Sequence, residues 1–126
     1  MITLSEAKGS ALLALMLTGD GLCPLYDWLQ SLPVDVLGLD LIHSPGLVPM
    51  IGDRQTSRIL ALGVVDVDTV ALETDDQVHG RLDVILTGVS APEVHVQPAG
   101  SLGRLSPEAA RQKLENLAGI VSRYRP

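Results

Sequence analysis

Three segments of this chain, Ala11–Thr18, Val34–Ile42 and Arg58–Asp66, are apolar at almost every position rather than at alternate ones. Continuous apolar runs of this length predict parallel strands covered on both faces, not the half-solvated strands of an antiparallel meander. A fourth, shorter run at Glu93–Gln97 reads the same way. Each run ends in polar residues and a loop, and a segment of helical character follows, so the chain reads as four βα units. A closed barrel of such units needs eight. The residues alone therefore leave two architectures open, an open four-stranded α/β sheet and half of a barrel.

The helices are signalled unevenly. Thr74–Val89 places Val78, Leu82, Ile85, Leu86 and Val89 on one face, with Thr74 as N-cap. Pro107–Tyr124 places Ala110, Leu114, Leu117, Val121 and Tyr124 on one stripe; Ser106 caps it and Pro107 suits its first turn. Arg123 and Arg125 complement the negative end of its dipole. A shorter helix is expected over Pro24–Leu32, stopping before Pro33, and Gly46–Thr56 is expected to hold a single turn.

With 126 residues the chain is long enough for one domain with a real core, and residues 1–126 are read as one domain. Aromatics contribute 2% of it, so Leu, Val, Ile and Ala must fill that core. A net charge of −6 leaves no basic patch for nucleic acid. No apolar stretch approaches the roughly 20 residues of a membrane span. The run Ala11–Leu17 resembles a signal core, but Glu6 and Lys8 precede it and no small-residue cleavage site follows. The lone Cys23 forms no intrachain disulfide and no thiolate cluster, so a reducing, cytoplasmic setting is expected.

In a parallel sheet the loops leaving the C-terminal ends of the strands share one rim, where ligands bind. Here that rim carries Thr18, Asp20 and Cys23 after the first strand, Asp40 and His43 after the second, Asp66 and Asp68 after the third, and Gln97 and Ser101 after the fourth. Converging carboxylates bind hard cations, orient amines or act as bases; equally, Asp is common at strand ends because it caps turns. Asp40 is the sharpest case, because it interrupts the apolar string LGLDLI (Leu37–Ile42), where an unpaired carboxylate is costly. It reads as a ligand, a base, or an acceptor for nearby backbone N–H groups. Asp66, closing GVVD, is in a similar position. Cys23 reads as a small apolar residue in preference to a nucleophile, His95 as structural and His79 as solvent-facing. The loops TGDGLC (Thr18–Cys23) and Gly100–Gly103 are weak anion cradles without a nucleotide fingerprint.

Three blocks, LPVDVLGLDLIHS (Leu32–Ser44), LALGVVDVD (Leu60–Asp68) and VHVQPAGSLGRL (Val94–Leu105), resemble in order the C-terminal half of the catalytic barrel of cobalamin-independent methionine synthase. More broadly they resemble the superfamily that barrel shares with uroporphyrinogen decarboxylase. The closing KLENLAGIVSRYR (Lys113–Arg125) is similar to that barrel's last helix, and the likeness runs over most of residues 10–125. The resemblance implies four parallel βα units forming half of a TIM-type (β/α)8 barrel. It also implies a zinc centre that activates homocysteine sulfur through a His-x-Cys pair, a Glu and a second Cys. Those positions fall here on Met16 and Thr18, on Asp40, and on Gly100, and the family's catalytic His falls on Asp68. Zinc matched to a thiolate substrate needs soft donors that this set lacks, so no metal and no cofactor is expected.

The leading expectation is a methionine-synthase-like barrel half, catalytically degenerate, that acts as a structural or binding subunit. Asp66 and Asp68 are its candidate catalytic residues; Asp20, Asp40, His43, Gln97 and Ser101 are its candidate contacts to a small-molecule substrate. The alternatives are a decarboxylase-like enzyme that uses rim carboxylates without metal, and a non-enzymatic α/β interaction module. A half barrel has two unpaired edges and an apolar inner face. Leu12, Ala14, Met16, Val36, Gly38, Leu62 and Val64 are expected on that face, and the expected partner is a second copy or a separately encoded other half.

Overall fold

The computed structural model describes residues 3–54, 56–88 and 91–125. Its elements run α1 (Leu4–Ala7), β1 (Ala14–Met16), α2 (Tyr26–Gln30), β2 (Val36–Asp40), α3 (Leu47–Asp53), β3 (Ile59–Val65), α4 (Asp75–Gly88), β4 (Val94–Pro98) and α5 (Pro107–Arg123). Short 3₁₀ turns at Cys23–Leu25 and Leu102–Arg104 precede α2 and α5. The four strands form one sheet in the order β1-β2-β3-β4, and every pairing is parallel. Sequential parallel strands with a helix in each crossover are the arc of a TIM-type barrel, and half of one is present.

The register decides which residues face the helices. Met16 pairs with Gly38, Gly38 with Ala61 and Ala61 with His95. Side chains of paired residues share a face, so this row belongs to the open, concave side of the sheet. The adjacent row, Leu37, Leu39, Leu60, Leu62 and Val64, lies under the helices and is wholly buried. There it joins Tyr26 and Leu29 of α2, Leu47 and Ile51 of α3, Val78, Leu82 and Ile85 of α4, and Leu117 and Ile120 of α5 in one core. Each such side chain contributes about 1.5–3 kcal/mol by leaving water. The expectation that Leu62 and Val64 line the inner face is thus corrected. A one-residue offset in a strand exchanges its two faces, and the small residues Ala61 and Gly63 take the concave side.

The helix ends follow their capping residues. Thr74 accepts from the Gln77 amide and Gln77 reaches back to the Thr74 amide, which starts α4 one residue later. Ser106 accepts from the Ala109 amide at the head of α5, with Pro107 in the first turn. Val89, expected on the α4 face, lies outside the described residues. Three expectations change. α3 runs for seven residues rather than a single turn, tolerating Pro49 in its first turn. α1 is an additional helix, closed by a Thr3–Glu6 capping box. On α5 the buried positions are Lys113, Leu117 and Ile120, whereas Leu114 and Val121 stay exposed. Among the described residues no helix is long and apolar enough to cross a membrane.

Candidate functional site

The rim is organised around Asp40, the last residue of β2, which is 1% exposed. A buried carboxylate must be satisfied, and this one is. Its Oδ1 accepts from the backbone N–H groups of Ile42 and His43, both at 2.9 Å. Its Oδ2 accepts from the Gly19 N–H at 2.8 Å and faces His43 Nδ1 at 2.8 Å. Of the three readings open for Asp40, backbone acceptor is the one these contacts fill. The loop after β1 therefore wraps an internal carboxylate: Gly19, at φ 101°, takes a left-handed conformation that turns its N–H toward Asp40. Ser44 adds a second tie, donating to the Gly19 carbonyl and accepting from the Leu22 amide.

From this anchor a polar chain extends outward. With a proton on each nitrogen, His43 donates from Nδ1 to Asp40 and from Nε2 to Asp68 Oδ2, the latter also at 2.8 Å. Arg104 donates to the other oxygen of Asp68 at 3.0 Å. The Asp40 hydrogen bond, followed by that to Asp68, raises the His43 pKa above the usual imidazole value. The His43 contact, with a smaller contribution from Arg104, lowers the Asp68 carboxyl below the usual carboxylate range. The cluster borders an open cavity of about 280 Å³, whose wall also includes Thr18, Gly100 and Ser101.

The remaining rim residues divide. Asp66 stands behind the cluster, its carboxylate accepting from the Asp68 amide at 2.9 Å. Its carbonyl accepts from Lys113, a buried lysine of α5 that also pairs with Glu73 at 3.0 Å. This bond fixes the loop after β3 to α5. Ser101 lines the cavity and accepts from the Gly103 amide. Gln97 lies on the concave sheet face, its amide near Met16 Sδ. Asp20 is exposed and Cys23 borders Gly46 at the start of α3; neither lines the cavity. His95 is exposed and pairs with Glu93. His79, expected to face solvent, is half-buried instead: its Nε2 meets the Ile120 carbonyl at 2.9 Å and its ring packs on Tyr124. Two contributors escaped the sequence reading. Arg104 had only its place in the loop after β4 as a signal, and Lys113 was hidden by the apolar residue beside it.

Among the described residues, His43, Asp66 and Asp68 can each bring one donor atom within 4.8 Å of the others. That set is nitrogen and oxygen only, and His43 and Asp68 already satisfy each other. The four positions that the resemblance assigns to zinc present a thioether, a hydroxyl, a fully engaged buried carboxylate and a glycine. Met16 lies on the concave sheet face, while Thr18 and Gly100 line the cavity without a thiolate or an imidazole. These residues do not fit a zinc centre built for a thiolate substrate.

Fold and rim together define half of an α/β barrel with its site at the C-terminal ends of the strands. Residues 5–122 match the family described as cobalamin-independent synthase, catalytic domain, and the chain belongs to that family. Among solved structures it is similar to a B12-independent methionine synthase from Shewanella sp. W3-18-1, in complex with selenomethionine. The two align with a TM-score of 0.68 at 22% identity, over 94% of this chain and 40% of that one. The chain thus spans about two fifths of the length of that relative. No curated protein matches it.

Proposed function

We propose that this chain is a catalytically degenerate barrel half of the methionine synthase family that binds a small amino acid at its rim without the family's zinc. The observation that carries this reading is the engagement of Asp40. The one inherited position with a ligand-type side chain spends both oxygens on three backbone N–H groups and His43. A carboxylate so held positions a loop and a histidine; it has no free lone pair directed at a metal. The cavity meanwhile offers what a zwitterion needs. Arg104, with N–H groups beyond the one that meets Asp68, suits a carboxylate, the remaining acceptor positions of Asp68 suit an ammonium, and the Thr18 and Ser101 hydroxyls serve either. The relative's selenomethionine complex supports the amino-acid class. Asp20 lies apart from this cavity and Asp40 is occupied, so the carboxylate-only decarboxylase reading has less support. A cytoplasmic setting suits the lone free Cys23.

The test is a titration of L-methionine into isotope-labelled protein, followed by amide chemical shifts. Saturable shifts at Gly19, Ser101 and Arg104 are expected, with binding weakened about tenfold or more in Arg104→Ala, the scale of a lost charged hydrogen bond. No saturable shift with methionine or any other small amino acid contradicts the reading.

A further inference from the structure

We propose that Lys113 is a positioning residue of the rim: from the buried side of α5 it fixes the turn at Asp66, and so holds the Asp68 carboxylate between His43 and Arg104. The inference rests on the proposed function for what Asp68 does with a ligand, but not for how Asp68 is held.

Lys113 is 1% exposed, on the side of α5 that otherwise buries Leu117 and Ile120. Packing alone favours an apolar side chain there, because taking an ammonium out of water is costly and a buried ion pair adds little stability over apolar residues of the same volume. What the lysine supplies is direction. Its Nζ donates to the Asp66 carbonyl at 2.6 Å and to Glu73 Oε1 at 3.0 Å. Glu73, whose side chain is 9% exposed, accepts from the Asp66 amide through Oε2 at 3.3 Å. The Glu73 carbonyl in turn accepts at 2.9 Å from the side chain of Asn116, about one turn along α5. Asp66 is thus tied at both its amide and its carbonyl to one buried ion pair. Its carboxylate then accepts from the Asp68 amide at 2.9 Å, which closes the turn Asp66–Val67–Asp68. Val67, in the middle of that turn, is buried and lines the cavity.

Asp68 reaches out of the turn to His43 Nε2 at 2.8 Å and to Arg104 at 3.0 Å. Arg104 lies three residues before Pro107, the first residue of α5. The head of α5 therefore grips the turn twice, at its base through Lys113 and at its tip through Arg104. The two grips differ in strength. Water and salt screen the exposed Arg104–Asp68 pair, which fixes little on its own. The bonds of Lys113 are shielded from solvent, so they carry the placement.

The experiment follows the His43 resonance through a pH titration of the full chain without ligand, so this inference can fail while amino-acid binding holds, and the reverse. Lys113→Met is combined with Glu73→Gln, which leaves no unpaired buried charge and keeps an acceptor for the Asp66 amide. The His43 midpoint should fall by most of the drop that Asp68→Asn produces. Ile120→Val loosens the same buried side of α5 by one methylene group and should lower stability without moving the midpoint. A folded double variant with an unchanged midpoint overturns the proposal, as does an equal drop in Ile120→Val or none in Asp68→Asn. If the double variant does not fold, hydrogen exchange on the unmodified chain decides. The Asp68 amide should exchange slowly, and free exchange there beside a protected β3 overturns the proposal.

Discussion

The inner strands and the outer strands of this sheet are built to different standards. β2 and β3 pair over five positions, Val36 to Asp40 against Ile59 to Gly63, and nearly every residue in them is buried. β1 contributes three residues, none of them buried, and β4 contributes five that are exposed or half-exposed. Leu12 and Met16 stay exposed around β1, and Leu114 and Val121 along the flank of β4. The contrast teaches that burial in this half is concentrated in its central strands and thins out at its margins. It also locates the rim cluster: Asp40 and Asp68 come from the well-buried inner strands and their loops, and the outer strands supply only Gly19 and Arg104 to it.

The contrast breaks most readily through the core. Leu62→Ala, in the middle of β3, should cost about 2–5 kcal/mol in urea denaturation. Leu12→Ala, 68% exposed beside β1, should stay within about 0.5 kcal/mol in dilute protein. Comparable losses at the two sites would mean that the margin is as well packed as the centre. Glycines sharpen the same point. A Cβ at Gly63 would stand 2.7 Å from the Ala99 Cα and 3.0 Å from the Leu39 carbonyl, backbone atoms that cannot easily yield. Gly63→Ala should therefore cost about 1–3 kcal/mol. At Gly38 the nearest atom is the mobile sulfur of Met16, so Gly38→Ala should cost less than Gly63→Ala in the same assay.

At the rim, Asp40→Asn replaces a fully engaged carboxylate with a group whose NH2 faces donors. A loss of about 1–3 kcal/mol is expected, with faster amide exchange at Gly19. The smallest effect is in proton affinity. The His43 resonance should titrate above the usual value of about 6.5, and Asp68→Asn should bring its midpoint down. A raised histidine pKa stabilises the fold fully below about 6.5, and that contribution fades as pH rises through the folded value. A lowered Asp68 pKa stabilises above about 3.9, fading as pH falls through its folded value. Both contributions are therefore complete only between about pH 4 and 6.5. A His43 midpoint at or below the usual value would show that the Asp40–His43–Asp68 chain does not form in solution.

Much of the fold was legible because fully covered parallel strands leave an unmistakable apolar signature, and because Ser106, Pro107 and Thr74 mark helix starts. The face assignments were harder. In β3 every residue from Leu60 to Val65 is apolar or glycine, so nothing in the string says which row faces the helices; pairing with Gly38 decides it. On α5 the buried side contains Lys113, whose charge is met by Glu73, 40 positions away, a partner no local pattern reveals. Asp40 stood out because a carboxylate within LGLDLI demands an explanation, and the structure supplies it. Arg104 did not, since one arginine in a polar loop is unremarkable until Asp68 is placed beside it.

The central proposal is that this chain, which has half of the family's barrel architecture, does not bind the family's zinc at its rim. Metal analysis after equilibration with zinc and exhaustive dialysis tests it most directly. Well under one zinc per chain is the predicted result, unchanged in Asp40→Asn. One zinc retained per chain, and lost on substitution of Asp40, would contradict it.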